Sequence, residues 1–133
     1  MNQVNLNAVA QVQMFNSPNY PNAYPNGANC VWVITAPAGC KVLLTFTTFN
    51  TELSYDKVFV YDGSIPTPPT SLSGELSGLH SVPKTFSSTG TQMTIVFTSD
   101  FFFSGNGFKA DYRAHDCILQ PPTPTPPPPP GKN

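Results

Sequence analysis

From residue 31 to residue 113 the chain returns repeatedly to short runs rich in β-branched and aromatic residues. Each run is broken off by proline, glycine, asparagine or serine. This rhythm has a period of two, which suits strands buried on one face, and no window of a dozen residues shows a helical period. In residues 41–49, KVLLTFTTF, the side chains of Val42, Leu44 and Phe46 alternate onto one face. Residues 31–36, VWVITA, read as the preceding strand, closed by the turn Pro37-Ala38-Gly39, and the two are expected to pair as a hairpin. Further strands are expected at 57–61 (KVFVY, ending at the turn signal Asp62-Gly63), at 92–99 (QMTIVFTS) and at 108–113 (FKADYR). Residues 11–15 (QVQMF) read as a short edge strand. Residues 64–91 are irregular: SIPTPPTSLSGELSG reads as loop, and HSVPKTFSSTG stays open. Several short strands with regular turn signals and no helix point to an all-β, two-sheet antiparallel β-sandwich. Trp32, Phe46, Phe59, Phe97 and Phe108 are its expected core, and Tyr20 with Pro18 and Pro21 should fix the entry segment.

One domain accounts for 133 residues. Residues 1–10, polar and Asn-rich, read as a loose lead-in, 11–117 as the globular domain, and 118–133 as a Pro-rich linker or tail. Eight of the ten residues 121–130 are proline, which suits an extended polyproline spacer to a further module or a ligand for aromatic grooves. Only 10% of residues are charged, against roughly 25% in an average soluble domain, and the net charge is −1. With no cluster of cations, nucleic-acid binding and electrostatic membrane anchoring are disfavoured. No apolar run approaches the roughly 20 residues of a membrane span.

The N-terminus lacks the basic start and continuous apolar stretch of a secretory signal, and the expectation is a segment of a longer secreted protein. Cys30, Cys40 and Cys117 have no metal-site spacing. Their odd number implies a free thiol or a partner outside the chain in an extracellular setting. The alternative is three buried cysteines behaving as small hydrophobes. A catalytic reading finds little to stand on. Neither His80 nor His115 has a nearby Cys or Ser in a nucleophile setting, and Glu52 with Glu75 as a glycosidase pair has no pocket argument behind it.

The block SPNYPNAYPNGANCVWVI at 17–34 resembles the opening of the CUB domain. The resemblance continues through TELSYDKVFVYDG, a Leu-x-Gly stretch at 72–74, MTIVFTSD and the closing GFKADY, covering about 100 residues in the same order. It implies a CUB-like jelly-roll sandwich, extracellular or secreted, that binds other proteins without catalysing a reaction. The chain departs from the family in its cysteines. Cys30 matches the cysteine before the Trp, but residues 1–29 contain no partner for it, so it is unpaired or has an external partner. The family's second pair is missing at both ends, with Ser73 at one of its positions. Cys40 starts the 41–49 strand and Cys117 follows the last strand; in the family's sandwich those strands are antiparallel neighbours, which implies a Cys40–Cys117 disulfide.

Glu52, Asp56 and Asp100 match the acidic residues that ligate calcium in calcium-binding CUB domains, and Tyr24 matches the tyrosine that supports the site. The chemistry is apt, because Ca2+ takes oxygen ligands and three carboxylates without a cation repel one another. The competing reading is a set of solvated loop carboxylates, with Asp56 capping a turn and Asp100 bonding backbone amides. The resemblance also implies that such a corner grips a Lys or Arg of a protein partner. Phe101, Phe102 and Phe103 follow Asp100 directly. Three consecutive aromatics on a loop cannot all point inward, so at least one is expected at the surface as an interface anchor; two packed beneath the sandwich is the alternative. The functional reading is a calcium-dependent protein-binding module. A calcium-independent, glycan-binding module of the spermadhesin kind, or a structural spacer, stand against it.

Overall fold

The computed structural model describes residues 2–64 and 71–118. It contains β1 (Asn2–Asn7), β2 (Gln13–Asn16), β3 (Asn29–Thr35), β4 (Lys41–Asn50), β5 (Lys57–Asp62), β6 (Lys84–Ser87), β7 (Gln92–Thr98) and β8 (Gly107–His115). They form two four-stranded sheets, ordered β1-β3-β7-β5 and β2-β8-β4-β6, packed as a sandwich. All pairings are antiparallel except β1 with β3. No helix among the described residues is long and apolar enough to cross a membrane.

Three expectations are corrected. Residues 1–10 are not a loose lead-in throughout, because Asn2–Asn7 is a strand in parallel register with β3, from Asn2↔Cys30 to Asn7↔Thr35. The runs around residues 31–36 and 41–49 are not a hairpin. The Pro37–Cys40 turn, closed by Cys40 N donating to Pro37 O at 3.0 Å, carries the chain from one sheet to the other. Phe59 is not core: β5 turns Val58 and Val60 inward, so Phe59 lies half-buried on the outer face, stacked on Tyr61 at 5.9 Å. The described part of the open segment 64–91 supplies one short strand, β6, beside β4. Apart from Ile118, the Pro-rich tail lies outside the described residues, as do residues 65–70.

The core is built around Phe108, which is fully buried. Trp32, Phe46 and Phe97 each meet its ring edge-on at 5.6 Å and Phe15 does so at 6.0 Å, the geometry that the ring quadrupole favours. In β4 the buried positions run Val42, Leu44, Phe46 and then Phe49. The ladder with β8 slips between Phe46 and Thr48, and this bulge switches the inward phase.

The start of β8 is locked to the entry segment. Ser17 Oγ accepts from Phe108 N at 3.0 Å, and Ser17 N donates to Phe108 O at 3.0 Å. Gly107 sits at φ +90°, and a Cβ there would fall 1.9 Å from Ser17 Oγ, so only glycine fits. This lock and the bond from Tyr24 N to Gly105 O at 3.2 Å hold the entry segment beside the loop before β8.

β4 and β8 run antiparallel, so the start of one lies beside the end of the other. At that end Ile118 N donates to Gly39 O at 2.7 Å, bringing Cys117 back to the turn, and the Cys40–Cys117 disulfide forms there. Among the described residues Cys30 is a free, half-buried thiol, and burial pushes its pKa up, which makes it a poor nucleophile.

Candidate metal centre

The other end of β4 leads into the loop Thr51–Asp56, and four segments converge there. Thr51 holds the first two together. Its Oγ1 donates to Asp56 O at 2.9 Å and accepts from Gly78 N at 3.0 Å, and its own N–H donates to Gly78 O at 3.0 Å. Asp56 N donates to Glu52 O at 3.1 Å, curling the loop so that the Glu52 and Asp56 side chains share one side. The third segment is the end of β7, where Gly27 N donates to Asp100 O at 2.7 Å. The fourth is the entry segment, which contributes Tyr24, packed edge-on to Phe97 at 5.0 Å.

These constraints bring Glu52, Asp56 and Asp100 together, with one carboxylate oxygen of each within 4.8 Å of the others. Asp56 is fully buried. One of its oxygens accepts the Tyr24 hydroxyl and the other accepts Asp100 N at 2.8 Å, so its charge is hydrogen-bonded on both sides. Tyr24 Oη also accepts Glu52 N at 3.1 Å, which ties the two acidic loop positions to one phenol. Burial and then the bond to Asp56 push the Tyr24 pKa far above the usual phenol range, so it stays a proton donor.

Glu52 stands apart. Its Oε1 is buried with no hydrogen-bond partner among the described residues. Desolvation, followed by the charges of Asp100 and Asp56, pushes its pKa above the ordinary carboxylate value. Asp100 also accepts Phe102 N at 3.1 Å, so it bonds a backbone amide as the competing reading held and faces the other two carboxylates as well.

A cluster of three carboxylates, one with an orphaned oxygen, fits a hard divalent cation. Glu52, Asp56 and Asp100 would hold the ion and Tyr24 would orient Asp56. The ion would supply the positive charge that this set lacks.

Phe101, Phe102 and Phe103 all lie at the surface, together with Tyr55 and Leu53. Two residues of the site were missed in the sequence. Thr51 is one, and its role depends on Gly78, far away in the chain. Tyr55 is the other; it lines a cavity with Glu52, Asp100, Phe102 and Phe103. Neither carries a local signal beyond lying in the loop TELSYD. Glu75 is paired with Lys57 at 3.1 Å.

Comparison with known proteins agrees with this architecture. Residues 5–112 match the CUB domain family. Embryonic protein UVS.2 of Xenopus laevis is 41% identical over 108 residues, covering 78% of this chain and 20% of that protein. The full extracellular region of zebrafish Gpr126/Adgrg6 superposes with a TM-score of 0.75 at 34% identity, covering 87% of this chain and 15% of that one. The MASP-1 CUB2 domain bound to Ca2+ superposes with a TM-score of 0.64 at 27% identity, covering 81% of this chain and 96% of that one. The chain spans a fifth or less of the length of the curated relatives it matches. It belongs to the CUB domain family, whose members are generally non-catalytic binding modules within multidomain, extracellular-type proteins.

Proposed function

We propose that this domain binds calcium through Glu52, Asp56 and Asp100, supported by Tyr24, and uses the loaded corner to grip a Lys or Arg side chain of a protein partner. The observation that carries this reading is the orphaned, buried Oε1 of Glu52 inside a cluster of three carboxylates. A cation offsets the desolvation of Glu52 and the repulsion from Asp100 and Asp56, which together raise its pKa. The likeness to a CUB domain described as bound to Ca2+ supports the same assignment. The exposed Phe101, Phe102 and Phe103 beside Asp100 supply aromatic area for the partner. We place the domain in an extracellular setting, tethered to further modules, with the Pro-rich segment as spacer.

Isothermal titration with calcium in the millimolar range tests the ion. Heat release and a rise in melting temperature are expected, and the absence of both contradicts the reading. Binding to a glycan array that survives chelation would favour the glycan-binding alternative.

A further inference from the structure

The cavity beside the acidic corner has walls that an ion alone does not require. It measures about 290 Å³ and is lined by two carboxylates, Glu52 and Asp100, and by three aromatic rings, Tyr55, Phe102 and Phe103. Phe101 is seated elsewhere. A Cβ on Gly27 would come within 2.8 Å of Phe101 Cε1, so the Phe101 ring rests in the space that glycine leaves.

The backbone of this loop is tied down. Asn26 Nδ2 donates to Phe101 O at 3.2 Å, and Phe102 N donates to Asp100 Oδ1 at 3.1 Å. The rings of Phe102 and Phe103 are nonetheless 79% and 71% exposed. They therefore lie outside the core, on a loop whose backbone is bonded at Phe101 and Phe102, which lowers the ordering cost of binding.

A cavity lined by both carboxylates and aromatic rings suits a cation that has both in-plane donors and flat faces. Guanidinium is such a group: its N–H fork matches a carboxylate and its planes stack on rings. An ammonium is a compact, strongly hydrated charge that gains mainly from the carboxylates. The site stays attractive with the ion in place, because three carboxylates and one Ca2+ leave a charge of −1. We propose that this cavity selects arginine over lysine in the partner, with Tyr55, Phe102 and Phe103 as the specificity-determining residues. The proposal rests on the reading of this corner as the partner-binding surface.

The test titrates two capped tripeptides, glycine-arginine-glycine and glycine-lysine-glycine, into the intact chain, with calcium and with chelator. Amide and aromatic-ring NMR shifts follow binding. With calcium, the arginine peptide should bind at least about fivefold more tightly. The double variant Phe102→Ala, Phe103→Ala should bring it down to the affinity of the lysine peptide, with the melting temperature and the calcium affinity nearly unchanged. Equal affinities, a lysine preference, an arginine preference that survives the double variant, or no peptide binding by a calcium-loaded chain would each overturn the proposal and leave calcium binding standing. Failure of calcium itself to bind is visible in the same titration and counts against the underlying reading instead.

Discussion

The two ends of the sandwich are closed by opposite chemistry, and the ten residues of β4 connect them. Where β4 begins, Cys40 is bonded to Cys117, and Lys41 Nζ pairs with Asp116 at 3.2 Å. Where β4 ends, three carboxylates meet and one oxygen has no partner. The first end is held shut by a covalent bond and opposite charges; the second gathers like charges, which is unfavourable without a cation. One end is thus cross-linked, and the other carries the proposed ligand site.

The aromatic residues repeat the contrast. Phe97 and Phe108 are fully buried in edge-on contacts, whereas Phe101, Phe102 and Phe103, between them in the chain, lie in water. Exposed aromatic surface of that kind fits the partner-binding role proposed for this corner.

The largest expected effect is at the cross-linked end. Replacing Cys40 and Cys117 together by serine opens a loop with a sequence separation of 77 residues. It should cost up to about 4–5 kcal/mol of stability, measured by denaturant unfolding, and leave calcium affinity of the folded fraction unchanged. A loss of calcium binding would show that the two ends are not independent.

Asp56→Asn comes next. It sets an amide against two donors, the Tyr24 hydroxyl and Asp100 N, so it should cost about 1–3 kcal/mol and abolish calcium binding by titration calorimetry. Tyr24→Phe leaves an Asp56 oxygen and Glu52 N without their partner. About 1–2 kcal/mol should be lost in thermal melts, with calcium affinity weakened but measurable.

The two ends should also respond to pH with opposite sign. His115, near the disulfide, has its pKa lowered by desolvation and then by Arg113. The folded state therefore holds its proton less tightly than the unfolded chain, and stability rises with pH up to the ordinary value of 6.5. Glu52 has a raised pKa, so the ion-free folded state holds its proton more tightly. Stability falls as pH climbs from the ordinary 4.5 to the raised value. Unfolding in chelator across this range should show His115→Gln removing the rise and Glu52→Gln removing the fall. With calcium present the Glu52 effect reverses, because the ion needs the carboxylate, and affinity should fall as pH drops through the raised value.

Much of this architecture was legible in the sequence because turn residues and period-two alternation are local signals. What was missed is non-local. The Asn-rich β1 has only Val4 and Leu6 as apolar residues, and its pairing with β3 spans most of thirty positions. The turn Pro37–Cys40 suits a hairpin and a crossing between sheets equally well. In KVFVY both phases are apolar, so the ladder with β7, not the pattern, puts Phe59 outside. The carboxylates were found through the family resemblance; the links through Thr51 and the cavity wall at Tyr55 exist only once the loops converge.

The most direct measurement is the melting temperature of wild type and Glu52→Gln, each in chelator and in saturating calcium. In wild type, calcium at about ten times its dissociation constant should stabilise by about 1.4 kcal/mol, a rise of roughly 5 °C. Glu52→Gln should melt no lower than wild type in chelator and should show no rise with calcium. A wild-type melting temperature that calcium leaves unchanged, or an equal rise in Glu52→Gln, would contradict the assignment of this corner as a metal centre.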